Sequence, residues 1–168
     1  TPVEDLTREA RRKLRGENWA RVVSGRGTWP YASPADALPL PPTLPGGVPW
    51  PRISIITPSF NQGKYIEETI LSVRNQGYPN VEHIVMDGGS TDETREILER
   101  YRDGFARLVS ERDEGQSDAI NKGFKLATGE ILTWLNSDDM LAPGALAAVA
   151  MAFHTSGADL VAGEAHIY

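Results

Sequence analysis

From Arg52 onward the sequence alternates short runs of β-branched residues with amphipathic stretches of helical period, and this constrains the fold more than any other feature. The pattern predicts strands at 53–57, 81–87, 105–110, 131–135 and 159–163, with Pro58 stopping the first. Helices are expected at 65–76, 92–101, 116–127 and 143–154. The first places Ile66, Ile70 and Val73 on one face and stops at Gly77-Tyr78-Pro79. Strand and helix in alternation imply an α/β fold, a mostly parallel sheet flanked by helices on both faces.

The first 51 residues read differently. Residues 5–23 suggest a short helix with a thin apolar stripe of Leu6, Ala10 and Leu14, ended by Gly25 and Gly27. Eight prolines then fall between Pro30 and Pro51, a density that excludes helix and central strand and predicts an extended arm. Trp29, Tyr31 and Trp50 argue that this arm finds something to pack against. Three segments are therefore expected: a basic helical segment at 1–29, a proline-rich linker at 30–51 and the α/β domain at 52–168.

Charge follows the same division. Residues 1–27 carry seven Arg or Lys against four Asp or Glu, in a chain whose net charge is −6. The acidic balance argues against nucleic acid as a partner. The basic surplus (Arg8, Arg11, Arg12, Lys13, Arg15, Arg21, Arg26) fits either a solvated arm or a peripheral contact with a protein or an anionic membrane face. With no cysteine there is neither a disulfide framework nor a thiolate metal site, which fits a reducing, cytoplasmic compartment. No apolar run reaches the ~18 residues of a spanning helix, and the charged start has no signal-peptide core. The missing initiator Met suggests a trimmed start.

Chemistry is expected where the strands end. Leu132-Thr133-Trp134-Leu135-Asn136-Ser137-Asp138-Asp139 runs from strand formers straight into two carboxylates, which must lie past the buried strand. That places Asp138 and Asp139 at the carboxyl edge of the sheet, able to hold a hard divalent cation or to serve as turn formers. The first strand ends in Thr57-Pro58-Ser59-Phe60-Asn61-Gln62, where polar groups face either a ligand or an ordinary turn. The second ends in Asp87-Gly88-Gly89-Ser90-Thr91-Asp92. Helix capping accounts for residues 90–93 but not for Asp87, a carboxylate suited to accept the imide N–H of a pyrimidine. A fourth group, Gln116, Ser117 and Asp118, opens a helix at the same rim; Asp118 and Lys122 equally make an ordinary i,i+4 pair.

Several classes are disfavoured because their motifs are missing. The chain has no Gly-x-x-x-x-Gly-Lys-Ser/Thr loop, no Gly-x-Gly-x-x-Gly after the first strand and no Gly-x-Ser-x-Gly elbow. His83, His154 and His166 lack metal-ligand spacing. A sugar nucleotidylyltransferase is disfavoured because no Gly-rich, Arg- and Lys-bearing loop follows the first strand.

Taken in order, Ile55-Ile56-Thr57-Pro58-Ser59-Phe60-Asn61-Gln62, Ile84-Val85-Met86-Asp87-Gly88-Gly89-Ser90-Thr91-Asp92, residues 110–123, Ala127-Thr128-Gly129-Glu130-Ile131 and Asn136-Ser137-Asp138-Asp139 resemble the nucleotide-sugar half of a family 2 glycosyltransferase. The resemblance spans about residues 52–168 and implies a GT-A (Rossmann-like) fold, preceded here by the short helix and proline-rich arm. It implies that Thr57, Pro58, Ser59, Asn61, Asp87, Gly88, Gln116, Asp118, Ser137 and Asp138 surround the nucleotide. By the same resemblance Asp138 and Asp139 bind Mn²⁺ or Mg²⁺ against the diphosphate of a donor, most simply a UDP-sugar, used on a glycan acceptor.

Two departures stand out. Many members carry a second Asp where this chain has Gly88, and the acidic motif opens on Asn136 rather than Asp. If the second Asp normally meets the base, Asp87 or the Gly88 backbone must substitute for it. The general base of an inverting enzyme is expected beyond Tyr168, so the chain by itself is expected to bind donor without transferring it. The alternative is a non-catalytic nucleotide-sugar-binding or assembly module that recruits a partner through its basic start.

Overall fold

The computed structural model describes residues 40–163. The helix expected at 5–23 and the first part of the proline-rich arm lie outside them. Four strands form one sheet, each adjacent pair parallel: β1 (Ile53–Ser59), β2 (Val81–Asp87), β3 (Arg107–Ser110) and β4 (Ile131–Trp134). Between and after them run α1 (Ile66–Arg74), α2 (Thr94–Arg100), α3 (Gln116–Leu126) and α4 (Ala145–Ser156). The strand order is β3-β2-β1-β4. Chain order thus moves outward from β1 through β2 to β3, then jumps back to the other side of β1. The reversal falls between β1 and β4, and at such a switch point the loops leaving the carboxyl ends diverge and open a crevice.

Alternation within β1 divides the core. Ile53 and Ile55 point to the side of α1 and α4, meeting Val73, Leu146, Ala147 and Ala150. Farther along that side, Val85 packs with Ile66, Ile70, Ile97 and Leu98. Ile56 faces the opposite side, where Ile84, Met86 and Ala119 of α3 surround it. In register, Leu132 and Trp134 of β4 fall opposite Ser54 and Ile56, yet both are more than half exposed, so α3 covers only part of that face. The second part of the proline-rich arm does pack: Leu44 and Trp50 are buried with the α4 side, and the Trp50 indole donates to the Pro41 carbonyl at 2.8 Å.

Two expectations are corrected. β1 does not stop at Pro58 but continues to Ser59, with Pro58 in register with Met86. The hydrogen bonds explain it. Ile53 N and Ser59 O point to the β2 side, whereas Arg52 O and Ile56 O are taken by β4-side amides. Pro58 shares the parity of the β4 side, where the ladder has already ended at Ile56, so its missing N–H breaks no bond. The strand expected at 159–163 is absent. α4 ends at Gly157 in a left-handed conformation, and the following residues pair with no strand among those described, leaving Leu160 83% exposed.

Candidate functional site

The crevice at the switch point is a cleft of about 510 Å³, within the range of small-ligand sites. Pro58, Ser59, Phe60 and Gln62 line it from the end of β1; Asp113, Gly115, Gln116 and Ala119 from the β3–α3 connection; Asn136, Ser137 and Asp138 from the end of β4. Three strand ends converge on it. Of the residues expected from sequence, Pro58, Ser59, Gln116, Ser137 and Asp138 are on its wall. Ser59 is informative: only 5% exposed, its hydroxyl has no hydrogen-bond partner. A buried hydroxyl without a partner is costly, and one on a cleft wall is satisfied when a ligand or water arrives.

The other expected residues lie off the wall. Thr57 is fully buried and its hydroxyl shares a 2.9 Å hydrogen bond with His83 Nε2. Asp87, 1% exposed, accepts from the Ser90 amide at 3.2 Å, from the Ser90 hydroxyl and from the Ser110 hydroxyl at 2.5 Å. Its carboxylate ties β2, the following turn and β3 together. The Gly88 amide continues the ladder by donating to Ser59 O at 2.8 Å. Asp118 accepts from the Glu114 amide at 3.1 Å and from Lys122 Nζ at 2.9 Å. Those bonds, the Lys122 contact first, hold its carboxyl below the usual aspartate range.

Asn61, exposed and off the wall, holds the loop beside it. Its φ of 53° lies in the left-handed region, which Asn tolerates better than most residues. Its amide donates to Ser90 Oγ at 2.8 Å, while the Thr91 amide donates to its side-chain oxygen at 2.8 Å. Beside it Gln62 N donates to Thr94 Oγ1 at 2.9 Å and Gly63 N to Asp92 at 3.0 Å. The helix capping expected of Ser90 or Thr91 is not what they do: α2 starts at Thr94 behind Glu93, only Asp92 reaches its first amide, and residues 90–94 instead clamp the loop that follows β1. The clamp presents Phe60, 58% exposed, on the cleft wall.

On the β4 side the acidic pair divides. Asp138 is exposed on the cleft wall. Asp139 lies off the wall and accepts from Asn136 Nδ2 at 2.9 Å, while Asn136 Oδ1 accepts from Gln116 Nε2 at 2.6 Å. The Gln116–Asn136–Asp139 chain links the start of α3 to the acidic loop across the cleft. Among the described residues no cluster of three acidic or histidine side chains could hold a metal by itself. The Asp138 carboxylate on the wall, with Asp139 next in the chain but turned to Asn136, suits a cation that keeps part of its water and takes remaining oxygens from a phosphate ligand, as Mg²⁺ usually does.

Sequence reasoning omitted Phe60, Gln62, Asp113, Gly115, Ala119 and Asn136 from the expected site. The signal for Phe60 was present, a large aromatic among polar strand-end residues. Asp113 had none, because what places it is its approach to Gly88, 25 positions earlier in the chain.

Comparison with known proteins follows the same stretch. The glycosyl transferase family 2 profile matches residues 54–168. The putative teichuronic acid biosynthesis glycosyltransferase TuaG of Bacillus subtilis is 41% identical over 92 residues, covering 53% of this chain and 36% of the relative. Among solved structures, S. aureus TarS 1–349 in complex with UDP-GlcNAc superposes with a TM-score of 0.59 at 30% identity, over 64% of this chain and 32% of that one. The mannosyltransferase PcManGT from Pyrobaculum calidifontis, in complex with GDP-Man and Mn²⁺, gives 0.56 at 25% identity, over 83% and 42%. The chain spans about a third of the length of the curated relatives it matches. The parallel sheet with its flanking helices is the GT-A fold, and the chain belongs to glycosyl transferase family 2.

Proposed function

We propose that this chain forms the donor-binding part of an inverting, metal-dependent glycosyltransferase that takes a nucleotide-sugar and delivers the sugar to a polysaccharide or glycan acceptor. The observation that carries the reading is the cleft itself: a partnerless Ser59 hydroxyl, an exposed Phe60 and the Asp138 carboxylate converge at the switch point. In this reading Phe60 and Pro58 lie against the base, Ser59 supplies a hydrogen bond to the nucleotide, and Asp138 with Asp139 holds Mn²⁺ or Mg²⁺ against the diphosphate. The bound cation would offset charge on the departing nucleoside diphosphate. Gln116 and Asn136 brace the acidic loop so that Asp138 faces the cleft while Asp139 is held beside it.

Support for a uridine donor comes from the UDP-GlcNAc and UDP complexes of TarS, and support for a divalent cation from the Mn²⁺ in PcManGT. Residues 1–27, by their charge, are proposed to touch a protein or an anionic membrane at the cytoplasmic face; no helix among the described residues is long and apolar enough to cross one. Calorimetric titration of the full-length protein with UDP and Mn²⁺ tests the reading. Binding that needs both components is expected, and folded protein that ignores millimolar UDP with Mn²⁺ refutes it. Sugar transfer by that protein to an acceptor distinguishes a transferase from a binding module.

A further inference from the structure

The sequence offers Asp87 and the Gly88 amide at the tip of β2 as contacts for a base, and both are already engaged. Asp87 is saturated by Ser90 and Ser110, and the Gly88 amide is bonded to Ser59. Another carboxylate occupies the spot. Asp113, on the cleft wall, lies so close over Gly88 that a Cβ added there would meet its Oδ2 at 2.6 Å. Its Oδ1 accepts from the Gly115 amide at 2.8 Å, which fixes the plane of the group. Oδ2 has no hydrogen-bond partner among the described residues and remains an open acceptor beside the cleft. Asp113 lines the cleft from the β3–α3 connection, Asp138 from the end of β4 and Phe60 from the end of β1, so an open acceptor, a carboxylate able to hold a cation and an aromatic face share one cleft.

We propose that Asp113, admitted by the bare Gly88, is the residue that selects the donor's base, accepting a ring N–H and so favouring uracil or guanine over cytosine or adenine. The proposal rests on the nucleotide-sugar reading and adds the base selector to it. The physical ground is that an ionised carboxylate only accepts hydrogen bonds. Uracil N3–H and guanine N1–H can donate to it, whereas the bare ring nitrogens of cytosine and adenine meet it acceptor to acceptor. A polar group covered by a bound base and left facing the wrong partner is a stronger discriminator than a change of shape.

The test compares UDP, GDP, CDP and ADP, each with Mn²⁺, on the full-length protein and on Asp113→Asn and Gly88→Ala variants whose folding is checked by thermal melting. In Asp113→Asn the Gly115 contact keeps the side-chain oxygen inward, so the amide turns a donor toward the cleft. The expected result is a wild-type preference for UDP or GDP and, in Asp113→Asn, a loss of about tenfold or more for that nucleotide with a gain for CDP or ADP. Gly88→Ala, which crowds the carboxylate, is expected to weaken the preferred nucleotide without any gain for CDP. A wild type that prefers CDP or ADP, or an Asp113→Asn variant with an unchanged ranking, overturns the proposal and leaves nucleotide binding standing. If no nucleotide binds at all, the broader reading falls with it.

Discussion

His83 illustrates how a single side chain couples the core to pH. It is buried within β2, bonded through Nε2 to Thr57 and set edge-on to Phe105 with ring centroids 5.3 Å apart, while Nδ1 has no partner. Burial, and secondarily the Arg74 charge, pull its pKa down to about 3, so the folded protein keeps it neutral. In the unfolded chain an ordinary histidine titrates near 6.5. Below that value the unfolded state binds a proton that the folded state refuses, and stability falls with pH. The window runs from about pH 6.5 down toward 3, at up to about 1.4 kcal/mol per pH unit. Urea unfolding at pH 7, 6 and 5 should show His83→Asn with lower stability at pH 7 but a shallower decline than wild type. Parallel declines would remove His83 as the cause.

Among the elements, the edge of the sheet away from the cleft is locked by a network centred on Glu82. Its carboxylate accepts from Ser54 Oγ at 2.5 Å and from the Thr128 amide and hydroxyl, both at 2.7 Å, while Gly129 N donates to Ser54 Oγ at 2.8 Å. Burial pushes the Glu82 carboxyl up, but these bonds and the Arg52 charge outweigh it and hold it below the ordinary glutamate range. The network fastens the turn between α3 and β4 onto β1 and β2. Gly129 is required there, because an added Cβ would stand 2.5 Å from Ser54 Oγ and 2.8 Å from the Arg52 carbonyl. Gly129→Ala is expected to cost about 1–3 kcal/mol in urea unfolding without altering nucleotide affinity. A cost below about 0.5 kcal/mol, the ordinary surface value, would show that the turn yields. Elements of this kind were legible in part. Period and punctuation placed α1, β2 and α3 closely, because burial writes itself into the spacing of Ile66, Ile70 and Val73. The continuation of β1 past Pro58 was not legible, since it depends on which neighbour each amide faces. Nor was the unpaired course of 159–163, since a strand-like composition forms no strand without an adjacent edge.

Across the whole molecule, the topology does what no local motif does: it brings the ends of β1, β3 and β4 to one cleft. Ligand binding there should stabilise the whole fold. At a hundredfold excess over its dissociation constant, UDP with Mn²⁺ should add about 2.7 kcal/mol, or about 5–10 °C in melting temperature. Asp138→Asn is expected to remove the Mn²⁺-dependent part of that increment; an undiminished shift would place the cation elsewhere. The cleft wall was half visible in the sequence, in Pro58, Ser59, Gln116, Ser137 and Asp138. Asp87 lies off the wall: a carboxylate at a strand tip serves a ligand or its own neighbours equally well, and here Ser90 and Ser110 occupy it. Asp113 stayed hidden because its place is given by packing over Gly88, not by any spacing along the chain. The clamp on residues 61–63 carries one more implication. With Asn61 already in its uncommon conformation and three consecutive amides anchored, that rim of the cleft is stiff before anything enters. A guest settling there freezes little main chain, so more of its contact energy remains as affinity.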